Sequence, residues 1–299
     1  LDIALIISCF VVGFVMIAGA GSNLNQQFGM PFWAGGLICA ALVILVSFLD
    51  FDKITSVLGI FTPLVFVMII IIAFYTFIGK SFDFEELEAI SATIPSPMPN
   101  VWVSLLNYFA LTAMTGVSMA FVLGGSIMRI GVAEKSGLLG GFVVSIIITV
   151  ATCILYANVK LVSTVDIPML AIAEQIHPVF SLVYALTIFG LIFNTAFSLF
   201  YALAKRFSSD KPKRFYPILI GAVVIGYGLS FMGFKSLVSI MYPLLGYIGF
   251  LMLFILAIAW VKERSNIIGE KHLRRKMIQL ITKKYDDNQE YTKGDREKF

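Results

Sequence analysis

Four small or hydroxylated residues, Thr112, Thr115, Gly116 and Ser118, sit in the middle of the apolar run LLNYFALTAMTGVSMAFVLGGSIM. Glycine loosens a helix, and hydroxyls can satisfy the carbonyls that a break would free. A helix broken there would turn a half-helix N-terminus toward a carboxylate or another anionic group. These residues form the candidate substrate-binding set. The alternative is a continuous helix whose small residues pack against a neighbour. A second set is Asn194, Thr195 and Ser198, with Tyr201 one turn on. Thr195 and Ser198 are three apart and share a helix face. Hard oxygens on one face suit a small alkali cation, so this is the candidate ion-binding set. The alternative is hydroxyls bonded back to the preceding turn.

Other chemistries lack their residues. No Asp, Glu, Lys or Arg falls in the core of an apolar block, which leaves a proton relay without a carrier. Asp166, Glu174 and His177 read as a solvated loop or outer vestibule. The two histidines, His177 and His272, fall on opposite sides of any bilayer and cannot share a metal. No zinc-protease motif, phosphate loop or nucleophile elbow is present. The expectation is a protein that is not an enzyme, with no cofactor other than a sodium ion and no nucleic-acid partner. Cys9, Cys39 and Cys153 each lie inside an apolar block and read as small buried hydrophobes.

The elements that position these sets follow from hydropathy. Of 299 residues 59% are hydrophobic and 13% charged, with a mean hydropathy of +0.92; a soluble domain carries about 25% charged residues. The apolar residues come in blocks of about 20, the length that crosses a hydrocarbon core. The fold class is an all-α polytopic membrane bundle over residues 1–261. Eight spans are expected: Ile3–Leu24, Pro31–Leu49, Ile54–Ile78, Val101–Ile127, Leu138–Val159, Val179–Ala204, Phe215–Phe231 and Leu237–Val261. Basic residues crowd alternate loops (Lys53, Arg129, Lys135, the run from Lys205 to Arg214) and the tail, while the other loops hold Lys80, Lys160 and Lys235. That bias places both termini in the cytoplasm. Residues 80–100 then face outward as an amphipathic turn and a proline spacer, and Asn23, Asn25, Gln26 and Gln27 cap the first span at the outer interface. Residues 262–299 form a cytoplasmic tail, where KHLRRKMIQLITKKY reads as a basic amphipathic helix on the anionic leaflet.

The spans also repeat. SFLDFDK before Pro63 stands beside SFMGFK before Pro243, so that Ser47, Phe48, Phe51 and Lys53 match Ser230, Phe231, Phe234 and Lys235. GFVMIAGAG from Gly13 can be laid on GLIFNTAFS from Gly190. Five spans separate the members of each pair, so paired helices point in opposite directions, as in the inverted repeats of many secondary transporters.

The segments AGAGSNLNQQFG (18–29), DIPML (166–170), NTAFSLFYALAKRF (194–207) and YPLLGYIGF (242–250) resemble those of the YkvI-type bacterial membrane proteins. That family is similar to the amino acid–polyamine–organocation superfamily, and the resemblance covers about residues 1–262. It implies a LeuT-like five-plus-five inverted repeat in a bacterial cytoplasmic membrane, with about eight of the helices in this sequence and two preceding it. It also implies that the 101–127 span corresponds to a broken sixth helix and that the 179–204 span holds a sodium-type site in sodium-coupled relatives. The function expected is secondary active transport of a small organic solute such as an amino acid, by alternating access. A channel, or a non-transporting scaffold or remnant, is the alternative.

Overall fold

In the computed structural model each long apolar run forms a helix, because backbone amides inside a bilayer find partners only within their own helix. The structure describes residues 2–49, 59–79, 81–126, 130–208 and 212–285. In chain order the helices are α1 (Asp2–Phe28), α2 (Phe32–Val46), α3 (Phe61–Phe77), α4 (Phe84–Thr93), α5 (Val101–Ser126) and α6 (Ile130–Ala157), then α7 (Val159–Val162), α8 (Pro168–Ile176), α9 (Pro178–Ser208), α10 (Pro212–Ser230) and α11 (Phe234–Tyr285). No strand occurs among the described residues. The expected spans overlap α1, α2, α3, α5, α6, α9, α10 and α11, and residues 54–58 and 127 of them lie outside the described residues. Among the described residues, four stretches are both long and apolar enough to cross a bilayer: Ile3–Phe28, Lys135–Ala157, Pro178–Ser208 and Phe234–Leu280. The apolar helices α2 and α3 are shorter. The 15 residues of α2 reach only about 22 Å.

Glycine and proline set the ends. Gly29, Gly79 and Gly233 take φ of 66°, 71° and 87° just past α1, α3 and α10, the left-handed conformation that closes a helix. Pro168, Pro178 and Pro212 open α8, α9 and α10, where the missing N–H has no helical partner to lose. Asp83 caps α4, accepting from the backbone N–H groups of Glu85 and Glu86 at 3.1 and 3.3 Å.

Packing fixes direction. Gly13 lies against Phe200, Gly19 against Ile192, and Gln27 against Ser181. Numbers rise along α1 as they fall along α9, so the two run antiparallel, as the pairing of the 13–21 and 190–198 segments requires. Asn107 faces Gly246 and Ala110 faces Gly249, a constant offset that makes α5 and α11 parallel. A core of Ile17, Cys39, Val43, Phe197, Phe200 and Val223 joins α1, α2, α9 and α10. Leu5, Val12, Leu111, Met114, Leu245 and Met252 join α1, α5 and α11. The outward side of α6 exposes Leu138, Leu139 and Phe142, an apolar face suited to lipid. Cys153 is exposed on α6 as well, unlike the buried Cys9 and Cys39, so the expectation of burial fails for that thiol.

Two further expectations are corrected. The tail is not separate from the last span: α11 runs unbroken for 52 residues, about 78 Å, because no glycine or proline interrupts it near Val261. The 101–127 span is likewise continuous through Gly116 to Ser126. The second half of the 47–53 repeat motif lies outside the described residues, including Phe51 and Lys53.

Candidate functional site

One end of the bundle gathers the α1–α2 turn, the approach to α5, the 158–168 segment and the α10–α11 turn. Lys160 and Glu86 form an ion pair there. Between α5, α11 and the 162–168 segment lies a cavity of about 450 Å³, within the range of small-molecule sites. Its polar lining comes from Ser104 and Asn107 of α5, Asp166, and Lys235, Ser239 and Tyr242 of α11.

Local rules explain the placement. Pro168 forces the residue before it out of the helical region, and Ile167 takes φ −116° and ψ 85°. Its backbone C=O accepts from the Leu170 and Ala171 N–H groups of α8 at 3.2 and 3.4 Å and also from the Gln26 Nε2 at 3.0 Å, while its N–H donates to the Gln26 Oε1 at 3.0 Å. Asp166, one residue earlier, accepts from the Ser22 hydroxyl at 2.8 Å. Gly233 makes the tight turn that puts Lys235 in the first turn of α11, where its Nζ donates to the Ser163 carbonyl at 3.2 Å. Among the described residues no ion pair joins Asp166 to Lys235. One negative and one positive group therefore face the same space, each hydrogen-bonded to a neutral partner and neither paired with the other. Deeper in, Asn107 donates to the Pro243 carbonyl at 3.0 Å and ties the two helices that form the main walls.

The residues picked from sequence fall elsewhere. Thr112 donates to the carbonyls of Tyr108 and Phe109 at 3.0 and 2.9 Å, and Thr115 to that of Thr112 at 3.0 Å. Gly116 has no atom near enough to touch an added Cβ. Hydroxyls and backbone satisfy each other within one helix, so no half-helix N-terminus is freed; Ser118 is placed only as a residue of the same helix. On α9, Thr195 is exposed and donates back to Leu191 at 2.9 Å. Asn194 differs: its Oδ1 is buried without a partner. Ser198 is half-buried on the same helix. One free buried oxygen is fewer than a hard cation takes, so this set fits an ion only in part.

The polar end of α1 does more than cap. Asn25 closes its own turn through the Met30 carbonyl at 2.7 Å, but Gln26 and Gln27 reach Ile167 and Ser181. Asp166 and Lys235 escaped selection because they read as loop residues. The available signals were the Asp-Ile-Pro sequence and a lone asparagine, Asn107, in an apolar span.

No family model and no solved structure matches this chain. It is similar to the uncharacterized membrane protein YkvI of Bacillus subtilis (strain 168), 29% identical over 238 residues, which are 78% of this chain and 66% of that protein. It is also similar to the uncharacterized protein YyaD of the same organism, 24% identical over 246 residues, 82% of this chain and 70% of that one. The chain thus spans about two thirds of the length of the curated relatives it matches. With its apolar helices, this makes it a multi-pass helical membrane protein similar to YkvI.

Proposed function

We propose that the chain is the body of a secondary carrier, not an enzyme, for a small polar organic solute such as an amino acid. It works by alternating access in a bacterial cytoplasmic membrane, with both termini inside. The observation that carries this reading is the 450 Å³ cavity holding Asp166 and Lys235 without an ion pair between them. A carboxylate attracts an ammonium and an ammonium attracts a carboxylate, more strongly where water is partly excluded. A zwitterion of amino-acid size satisfies both. The bias of the loop charges supports a cavity end that faces outside the cell. The antiparallel α1–α9 pair supports the LeuT-like inverted repeat. Sodium coupling rests on Asn194, whose buried carbonyl oxygen lacks a donor.

The test is uptake of a labelled amino acid mixture into proteoliposomes, with and without a sodium gradient. Accumulation that Asp166→Asn reduces supports the carrier. Failure of every amino acid to accumulate under either gradient overturns amino acid carriage.

A further inference from the structure

We infer that Asn23 is a second polar binding station for the solute, hidden behind the wall of the cavity; this rests on the carrier reading above. Asn23 is 0% exposed, and neither its Nδ2 nor its Oδ1 has a hydrogen-bond partner. Buried polar groups are nearly always paired, and one that is not asks for a ligand or a water. The other polar side chains at this end of α1 are all engaged: Ser22 with Asp166, Asn25 with Met30, Gln26 with Ile167, Gln27 with Ser181.

The surroundings say how the site would be reached. One turn before Asn23, a Cβ on Gly19 would sit 3.1 Å from the Phe234 ring. Phe234 and Asp166 both line the cavity. At the height of Asn23, then, α1 touches two wall residues, and Gln26 holds Ile167 beside them. Positions 19, 22, 23 and 26 fall on neighbouring faces of one helix, so Asn23 belongs to the turn of α1 that meets this wall. Only side-chain hydrogen bonds latch α1 to the 166–167 segment: Ser22 to Asp166, and Gln26 to both backbone groups of Ile167. A solute ammonium arriving at Asp166 competes for the oxygen that Ser22 occupies. That competition loosens the latch and opens the way to a group offering one acceptor and two donors. Oδ1 then takes the ammonium and Nδ2 the carboxylate.

Two measurements decide. The first is thermal unfolding of purified Asn23→Leu with and without a mixture of the twenty common amino acids. Leucine keeps the branched outline and the number of heavy atoms and removes the unpaired amide. The expected result is an unfolding temperature equal to or above that of the parent, with the amino-acid-induced rise abolished. A rise retained in Asn23→Leu overturns the station. A parent that shows no rise at all fails the carrier reading instead. The second measurement needs no solute. N23C, with Cys9, Cys39 and Cys153 replaced by Ala, is exposed to a membrane-impermeant maleimide. Labelling should be slow with the latch intact and several-fold faster when Ser22→Ala and Gln26→Ala are added. Equal labelling in both overturns the hidden site, whether the thiol is reached in both or in neither.

Discussion

Asn107 donates to the carbonyl of Pro243 at 3.0 Å, and its carboxamide fills the volume that a side chain at position 246 would need. Gly249 stands in the same relation to the Ala110 carbonyl. Two glycines one turn apart let α11 approach α5 closely, and lipid gives no hydrophobic drive to replace that fit. Gly246→Ala must push the helices apart or expel Asn107 from its bond. The expected loss is ~1–3 kcal/mol, read as a lower midpoint in chemical unfolding in detergent. An unchanged midpoint would sink the close-packing account.

Gly116 predicts the opposite sign. Nothing within 4 Å obstructs an added methyl there, and the surrounding helix is regular. Gly116→Ala should stabilise by about 0.5–1 kcal/mol through helix propensity alone. Destabilisation would show that the helix opens at this glycine. If stability rises while uptake falls, the break would belong to a working state and not to the resting one.

Gln26 holds the segment before α8 through two hydrogen bonds at 3.0 Å. Gln26→Ala removes both, leaving the Ile167 N–H to water and its C=O with only the Leu170 and Ala171 N–H groups of α8. With a net worth of about 1 kcal/mol per bond, local opening near Ile167 should grow by roughly 5–30-fold. Hydrogen exchange of the peptide covering residues 164–172 reads this directly. Unaltered protection would mean that the segment is held by α8 packing alone.

Asn194 separates sodium coupling from solute binding. Its Oδ1 is buried and unpaired, whereas the Thr195 hydroxyl already serves Leu191. Asn194→Ala should remove the stimulation of uptake by a sodium gradient while leaving uptake without sodium near the parent level. Full sodium stimulation in the variant would clear α9 of any part in coupling.

Local chemistry was legible in the sequence, and long-range placement was not. Charge-free apolar blocks of span length gave the helices, and the antiparallel direction of α1 against α9 agrees with the 13–21 and 190–198 pairing without establishing the repeat. The back-bonded Thr112 and Thr115 were already one of the two readings their type allows, because a hydroxyl in a helix always has a carbonyl within reach. The cavity was different. Asp166, Lys235 and Asn107 are 59 or more residues apart in the chain, and nothing in the segment around any one of them reports the other two. Asn23 looked like an interfacial cap because its neighbours Asn25, Gln26 and Gln27 are polar. Only burial distinguishes it from them.

On the proposed carrier reading, substitutions at Asp166 and Lys235 distinguish the classes of solute, because each charge would answer to a different end of it. Asp166→Asn keeps the shape and the hydrogen bond to Ser22 but removes the charge that attracts an ammonium. Lys235→Met keeps the apolar stem and removes the charge that attracts a carboxylate. Both side chains are solvent-accessible, so each is expected to contribute only about 1 kcal/mol, roughly fivefold in KM. For a zwitterion both variants should raise KM by that factor, with kcat nearly constant, and both effects should shrink in high salt. For an amine without a carboxylate only Asp166→Asn should act, and for an organic anion only Lys235→Met. KM for each labelled solute, measured at low and high ionic strength, assigns the class; a solute whose KM ignores both substitutions does not bind in this cavity.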